Sequence, residues 1–251
     1  MIRSTLDSVS SSHGTGDASN CRYCSTFFKA GLGGAAEHAW DTILFSSRNF
    51  IITPTLGSLL PGWLLVTSKS HYLCMGAIPM ALVDELKEVV ELAAGWIGST
   101  FGPATIFEHG PSKPGLTIGC GIDHAHLHVV ALGFSLVDRA LRAPELAGLP
   151  WEASRPDFSS LASLHNAGQS YLYVQEPRGE QVHCSPNTLP RQFLRQIIAK
   201  ELGMFEQFDY RLHPHAENVR TTVSNLQAAI AVSAHLSVAS PTETDNAAGW
   251  Q

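Results

Sequence analysis

The sequence predicts an α+β fold in which an antiparallel sheet carries helices on one side. Short segments rich in β-branched and aromatic residues are separated by loops that contain proline and glycine. A long helix is predicted at residues 80–100, because apolar side chains recur there at steps of three and four residues. The predicted strands lie at residues 49–53, 64–67, 104–107, 124–132 and 171–175.

The chain is expected to divide into four segments. Residues 1–20 and 237–251 are rich in small and polar residues and are predicted to be disordered. Residues 21–135 should form the core of the fold, and residues 136–236 a C-terminal extension packed on that core. Within the extension, one helix is predicted over residues 190–202 and another after Glu217. The stretch at 140–170, rich in proline and alanine, is a connection whose structure the pattern does not specify.

The composition limits the classes of protein to which the chain can belong. The chain has 251 residues, 44% of them hydrophobic, which is enough to fill a core. Its formal net charge of −6 argues against nucleic-acid polymers, which require a basic face. Five cysteines without a regular framework favour a reducing cytoplasm and a metal site over disulfides. No stretch reaches transmembrane length and residues 1–20 lack the apolar segment of a secretory signal, so we expect a cytoplasmic protein without membrane contact.

A row of three histidines carries most of the chemical information. His124, His126 and His128 lie in the run Asp-His-Ala-His-Leu-His-Val-Val, and side chains two apart in a strand share one face. Three interpretations are open: the row binds one zinc with an open position, it binds a phosphate that one ring attacks, or it is a structural cluster. A zinc hydrolase of the β-lactamase type would have Asp and His directly after the second histidine, where Leu127 and His128 stand instead.

Two further motifs accompany the row. Cys21-Arg-Tyr-Cys24 spaces two thiols closely enough to hold one metal ion, which would need two more ligands. The segment at 61–71 reads Pro-Gly-Trp-Leu-Leu-Val-Thr-Ser-Lys-Ser-His and ends on His71, a candidate third ligand. The histidine row could supply the fourth.

Together these motifs resemble the histidine triad (HIT) superfamily, whose signature is His-φ-His-φ-His-φ-φ with φ apolar. Its members often carry an N-terminal C-x-x-C and a Pro-Gly-His-x-Leu-Val-x-x-Lys-x-His segment. The resemblance covers about residues 21–132. It implies a HIT-like antiparallel sheet with flanking helices and a helical C-terminal extension. In zinc-bearing relatives, including the galactose-1-phosphate uridylyltransferase branch, the matching positions hold a structural metal, which implies zinc ligands at Cys21, Cys24, His71 and His124.

The chemistry is then expected at the other two histidines. A neutral His126 would attack the α-phosphate of a nucleotide and form a nucleotidyl-histidine that a second acceptor opens. His128 would donate to a phosphate oxygen or protonate the leaving group. With water as acceptor the protein is a nucleotide phosphohydrolase, the function we favour; with a phosphate it is a nucleotidyltransferase or phosphorylase. HIT relatives are commonly dimers, so a homodimer is implied.

Further candidates surround the triad. Glu108 and His109 directly follow a predicted strand and should emerge at the mouth of the cleft. Either could serve as acid for the leaving group, or His109 could instead cap the loop that follows. The backbone N–H of Gly121 is suited to an anion. Arg195 and Arg211 are candidates to hold distal phosphates or a carboxylate, with buried salt bridges as the alternative. His124 is counted as a substrate contact as well as a metal ligand.

Four positions depart from the family pattern. Trp63 stands where a histidine usually follows Pro-Gly, and Thr55 where relatives place Asp or Asn on the ribose hydroxyls. Gly121 replaces a common Ser or Thr, and Ala131 a common Pro. Trp63 is therefore a candidate substrate contact or an aromatic residue of the core or cleft wall. Two alternatives to the hydrolase follow: a non-catalytic nucleotide sensor, and an enzyme acting on an unusual nucleotide or phosphoramidate.

Overall fold

The computed structural model describes residue 18 and residues 21–28, 38–119 and 121–238, with side chains described as far as residue 230. The segments predicted to be disordered, residues 1–20 and 237–251, lie outside the described residues except for residue 18 and residues 237–238. Within the part of the chain that is described, no helix is both long enough and apolar enough to span a bilayer.

An eight-stranded antiparallel sheet forms the centre of the protein, with the spatial order β1-β2-β3-β5-β4-β7-β8-β6. The strand that carries the triad, β5, lies between β3 and β4, so its backbone is paired on both sides. The strands are β1 (Phe45–Ser46), β2 (Phe50–Pro54), β3 (Trp63–Ser68), β4 (Ala104–Gly110), β5 (His126–Ala131), β6 (Glu152–Ala153), β7 (Tyr171–Gln175) and β8 (Gln181–Cys184).

Helices cover both faces of this sheet. On one face, α1, α3 and α5 pack against Ile52, Leu127 and other residues of β2, β3, β5 and β7. On the other face, α2 and α4 pack near Phe107 and Val130. The helices are α1 (Val83–Thr100), α2 (Leu136–Leu141), α3 (Ser159–Asn166), α4 (Phe193–Glu201) and α5 (Ala216–Val238).

The prediction of helices on only one side is therefore wrong. The reason is visible in β3, where Trp63-Leu-Leu-Val places apolar side chains on successive positions and every residue is buried. A strand with one solvated face would alternate apolar and polar residues, whereas consecutive apolar residues are typical of strands covered on both faces.

Most predicted elements lie within a few residues of the observed ones. The helix predicted from residue 80 begins with a 3-10 turn at Met80–Leu82 before α1, and the helix predicted over 190–202 is α4. β5 begins at His126, although the residues before it are also tied to neighbours: the Ala125 N–H donates to the Tyr72 carbonyl at 2.7 Å. β4 continues to Gly110 because its last residues pair with β7, a strand far along the chain.

That pairing also carries the sheet past the predicted boundary at residue 135. β7 and β8 add to the edge of β4, and the stretch at 140–170, for which no structure was predicted, contains β6 and α3. Segments of the predicted extension thus build the same sheet as the predicted core.

Candidate active site and metal centre

Four side chains from three separate segments form a cluster that can hold a metal ion. The ligand atoms of Cys21, Cys24, His71 and His124 all lie within 4.8 Å of one another. Cys21 Sγ is 3.3 Å from His124 Nδ1, and Cys24 Sγ is 3.4 Å from His71 Nδ1. A tetrahedral zinc ion with usual bond lengths separates sulfur and nitrogen ligands by about 3.5 Å. The cluster therefore has the dimensions of a four-coordinate site.

Packing brings the C-x-x-C segment to the sheet. Tyr23 and Phe27 are buried against Ile51 and Leu65, on the face of β2 and β3 that also leads to the triad. The Tyr23 ring lies edge-on to both His124 and His126, with centroids 5.5 and 5.7 Å away. Burial of these aromatic side chains anchors the two cysteines beside the first triad histidine.

His124 is oriented toward the cysteines by its other ring nitrogen. Its Nε2 is 2.7 Å from the Ser68 carbonyl oxygen, so an N–H there donates to the carbonyl and Nδ1 keeps its lone pair for the thiol side. Burial lowers the pKa of His124 to about 4, which keeps the ring neutral. A neutral imidazole with one anchored nitrogen is the form that binds a metal.

His126 has the geometry of a nucleophile. Its Nδ1 lies 2.6 Å from the carbonyl oxygen of His124, which can only accept, so Nδ1 carries the proton and Nε2 has a lone pair. Burial lowers the pKa of His126 and favours the neutral ring. An unprotonated Nε2 is the atom that attack on phosphorus requires.

His128 has the opposite tautomer. The indole Nε1–H of Trp63 donates to His128 Nδ1 at 3.1 Å, so the proton of the neutral ring is on Nε2. The Phe107 ring stacks on the same imidazole, with centroids 4.4 Å apart. Burial, followed by the charges of His126 and Arg195, holds the pKa of His128 well below its usual value. His128 is thus presented as a neutral hydrogen-bond donor.

Two cavities meet beside these histidines. The inner one, about 20 Å³, is lined by His126 and His128 together with Tyr23, Thr55 and Arg195. The outer one, about 730 Å³, is in the size range of ligand pockets. The residues common to both are Arg22, Leu56, Ile122 and Tyr210.

The outer cavity contains cationic and aromatic side chains. Arg211 lines it, stands over the Tyr210 ring at 5.1 Å, and donates to the Gly121 carbonyl at 2.9 Å. Gly121 has φ +84°, and a Cβ there would lie 2.6 Å from Arg211 Nη2. The departure from Ser or Thr at this position therefore fits the close approach of Arg211, and Gly121 presents its carbonyl to that side chain.

Arg195 is held inside the protein. Its Nη2 donates to the Gly57 carbonyl at 2.6 Å, its Nε donates to Gln192 Oε1 at 3.2 Å, and the guanidinium stands 4.7 Å over the Trp63 ring. The side chain reaches the inner cavity but is only 1% exposed. The salt-bridge alternative does not hold for Arg211 and Glu217, because Glu217 pairs with Arg220 at 2.7 Å.

Glu108 and His109 do not emerge at the mouth of the cleft, and this expectation is wrong because β4 continues past them. Alternation in the strand turns Glu108 to the face opposite the triad, where it accepts from the Met75 N–H at 2.7 Å and the Tyr171 hydroxyl at 2.6 Å. His109 is on the triad face, but it is buried and its Nε2 accepts from the Leu194 N–H at 3.0 Å.

Trp63 is fully buried and lines neither cavity, which places it in the core beside the triad. The residues that sequence reasoning missed are those shared by the two cavities, above all Arg22 and Tyr210. Each stands next to a residue that was recognised, Arg22 inside the C-x-x-C motif and Tyr210 before Arg211. The sequence signal for Arg22 and Tyr210 is that each lies directly beside a residue of a recognised motif.

No family model matches the chain, and no curated protein matches it significantly. A zinc-bound histidine triad family protein from Mycobacterium smegmatis is 18% identical, covering 60% of this chain and 94% of its own, with a TM-score of 0.34. A HIT-like protein from Bartonella henselae involved in cell-cycle regulation is 14% identical, covering 51% of this chain and 86% of its own, with a TM-score of 0.31. Yeast Ap4A phosphorylase is 8% identical over 57% of each chain, with a TM-score of 0.37.

Similarity at this level of sequence identity describes only the shape of the protein. It does not show that this chain shares an activity or a ligand with those proteins. The metal cluster and the tautomers of the triad are properties of the chain's own geometry. The prediction of an α+β fold with an antiparallel sheet and flanking helices is confirmed, and proteins of the histidine triad superfamily are among the solved structures similar to it.

Proposed function

We propose that the protein is a HIT-like nucleotide phosphohydrolase that acts at the α-phosphate through a covalent nucleotidyl-histidine at His126. The observation that supports this most directly is the hydrogen bond from His126 Nδ1 to the His124 carbonyl. It orients an unprotonated Nε2 in a ring that lines the inner cavity.

In the proposed reaction, the Nε2 lone pair of His126 forms a bond to the α-phosphorus while the bond from phosphorus to the leaving oxygen breaks. The leaving group departs with that electron pair, and the ring becomes an N-linked imidazolium whose Nδ1–H still donates to the His124 carbonyl. Water then attacks the same phosphorus and loses a proton to solvent, while the bond from phosphorus to Nε2 breaks and returns its electron pair to that nitrogen, which restores neutral His126. His128 Nε2–H donates to a phosphoryl oxygen as charge develops there.

The two cavities suggest where the substrate lies. The inner cavity is too small for a nucleoside and brings together His126, His128 and the buried hydroxyl of Thr55, for which the described residues offer no hydrogen-bond partner. An unsatisfied buried hydroxyl is unfavourable unless a polar ligand reaches it. We place the reacting phosphate where the two cavities meet, with one of its oxygens in the inner cavity, and the remainder of the nucleotide in the outer cavity with Arg211.

We further propose a structural zinc ion on Cys21, Cys24, His71 and His124. The donor set, two thiols and two imidazoles within 4.8 Å, suits zinc and leaves no position for substrate. Bound there, the ion would supply rigidity: it would hold residue 124, whose carbonyl accepts from His126. A cytoplasmic location is proposed with it, since the cysteines that the structure describes are free thiols.

The resemblance implies a homodimer, which we retain as a proposal. Light scattering on the purified protein should give twice the chain mass of 27.1 kDa. A mass of one chain at micromolar concentration would contradict it.

The proposed activity is tested by incubating the protein with ATP, a diadenosine polyphosphate and a UDP-sugar and identifying the products. The expected product is a nucleoside monophosphate from wild type and none above background from His126→Ala. His165→Ala is the matched control, because this histidine lies on α3 against the opposite face of the sheet and should keep full activity. Release of a nucleoside diphosphate that depends on added orthophosphate would identify a phosphorylase instead. Binding without any product would contradict the enzyme and favour the sensor.

A further inference from the structure

Trp63 stands where the family pattern has a histidine, and its contact with the triad has a chemical consequence. The Trp63 Nε1–H donates to His128 Nδ1 at 3.1 Å. An indole nitrogen is a donor only and can never accept. Protonating His128 at Nδ1 would therefore set two N–H groups against each other in a buried place. A histidine at position 63, which can accept, would impose no such restriction.

The surroundings prevent the pair from rearranging. Phe107 stacks on one face of His128, at 4.4 Å between centroids with 16° between planes. The Arg195 guanidinium stands over the Trp63 ring at 4.7 Å and is itself fixed by the Gly57 and Phe208 carbonyls. Trp63 and Phe107 are 0% exposed. Neither ring can turn without losing close packing, and the buried indole cannot exchange its hydrogen bond for one to water.

We infer that Trp63 is a positioning residue that confines His128 to a neutral Nε2–H donor, and that the site consequently acts on phosphoanhydrides in preference to phosphoramidates. The inference rests on the proposed function, since it concerns which bond His126 breaks. It gives position 63 a role in choosing the leaving group, although Trp63 does not touch the cavities.

The link between tautomer and substrate follows from the electron balance of the first step. In an anhydride, the bond from phosphorus to oxygen breaks and the leaving phosphate keeps the electron pair as a stable anion, without a proton. In a phosphoramidate, the bond from phosphorus to nitrogen breaks and the amine must gain a proton to leave. A neutral His128 can stabilise the phosphoryl oxygens, but its Nε2–H is far too weak an acid to protonate a departing amine.

Neighbouring groups do not replace this acid. The inner cavity is lined by no carboxyl group among the described residues, and Glu108 lies on the opposite face of the sheet. His109 accepts from the Leu194 N–H, and burial lowers its pKa to about 3, so it too is neutral. Among the described residues, the groups whose charge acts on His128 are His126, Arg195 and His109, from β5, α4 and β4. Arg22, Tyr23 and Tyr210 line the same inner cavity and add no carboxyl group.

The tautomer is measured on wild-type protein by long-range proton–nitrogen correlation NMR, with the His128 signals assigned by their loss in His128→Gln. We expect a bare Nδ1 and a protonated Nε2 throughout the range from about pH 5.5 to pH 8, where an ordinary histidine would titrate. An imidazolium pattern at the acidic end, or a proton on Nδ1, would overturn the inference. This measurement needs no activity, so it decides the role of Trp63 even if the proposed function fails.

The substrate preference is measured with ADP and adenosine 5′-phosphoramidate, which share the nucleoside and the α-phosphate. We expect kcat/KM for the anhydride to exceed that for the phosphoramidate by at least about tenfold in wild type. Trp63→Phe keeps an aromatic ring but removes the donor, and should lower kcat on ADP about tenfold, the worth of one hydrogen bond. Trp63→His should lower the ratio of kcat/KM for ADP to kcat/KM for the phosphoramidate. His128 can then be protonated and can give a proton to the departing amine.

Equal kcat/KM for the two substrates in wild type would overturn the substrate inference. An unchanged ratio of the two kcat/KM values in both variants would overturn it as well. If wild type turns over neither substrate, the proposed function fails with it, and the NMR result still stands for Trp63.

Discussion

His124 joins the two halves of the site through two different atoms. Its ring nitrogen Nδ1 is 3.3 Å from Cys21 Sγ, and its backbone carbonyl accepts from His126 Nδ1 at 2.6 Å. The residue that would bind the metal is therefore also the residue that sets the tautomer of the nucleophile. A metal bound at the cluster would thus be linked to the orientation of His126 through a single residue, without contacting a substrate at His126.

The metal cluster predicts that zinc content and thermal stability depend on Cys24. Cys24→Ala should reduce the zinc content of the purified protein from one equivalent to nearly none and lower Tm, because three ligands cannot complete a closed tetrahedral site. Elemental analysis and thermal unfolding measure the two effects. Cys184→Ala is the matched control: it removes a buried thiol outside the cluster and should leave the zinc content unchanged. Full zinc content in Cys24→Ala would contradict the site.

Glu108 makes a prediction about pH. It is fully buried, and burial raises its pKa to about 7, above the value of 4.5 expected in the unfolded chain. A raised pKa means that the folded state holds the proton more tightly, so this contribution to stability is complete below about pH 4.5 and is lost as pH rises to about 7. Glu108→Gln should remove this pH dependence of the free energy of unfolding, which amounts to about 3 kcal/mol.

Urea unfolding of both proteins at several pH values between 4.5 and 8 measures this effect. The wild type should lose unfolding free energy relative to Glu108→Gln across the range. Parallel curves would show that Glu108 is ionised in the folded protein throughout.

At the scale of elements, β5 is the strand on which the site depends. Its inward residue Leu127 is 0% exposed and packs under α1. Leu127→Ala should therefore lower the free energy of unfolding by about 2–5 kcal/mol, as lost burial adds to a cavity. Leu141→Ala, which truncates a side chain that is 54% exposed, should change it by less than about 0.5 kcal/mol. Denaturant titration measures the free energy of unfolding of both variants. An equal loss in Leu127→Ala and Leu141→Ala would contradict the central position of β5.

The sequence predicts β5, α1 and β7 because their signals are local: a period of two or of three to four residues within one segment. It does not predict where β4 ends, since that depends on pairing with β7 more than sixty positions later. It also misses β1, β6 and β8; β1 and β6 have two residues each, too few for any period, and β8 has four. For the site, the resemblance stated from the motifs implies the four clustered residues, whereas Arg22 and Tyr210 become neighbours only through tertiary packing.

At the scale of the whole molecule, the cleft is built from both ends of the chain. Arg22 comes from the N-terminal motif, while Tyr210 and Arg211 come from the segment between α4 and α5. Gly57 permits this docking, because a Cβ there would lie 2.3 Å from Tyr210 Cβ. The C-terminal part of the chain thus contributes to the wall of the site as well as to the sheet.

Arg211 should consequently affect binding more than chemistry. Arg211→Ala should raise KM for a nucleotide with further phosphates about tenfold and leave kcat within about twofold, since the side chain lines the outer cavity away from Nε2. Arg220→Ala, which removes an exposed arginine on α5, is the matched control and should leave KM unchanged. A loss confined to kcat would place Arg211 in the chemical step instead.

The proposed covalent attachment of the nucleotide to His126 can be observed by rapid-quench intact-protein mass spectrometry. The protein is mixed with ATP or a diadenosine polyphosphate and stopped without acid at a series of early times, with His126→Ala and His165→Ala in parallel. A mass increase of one nucleotidyl group is expected in wild type and His165→Ala and is absent from His126→Ala. Turnover by His126→Ala at the wild-type rate, with no adduct in any sample, would contradict it.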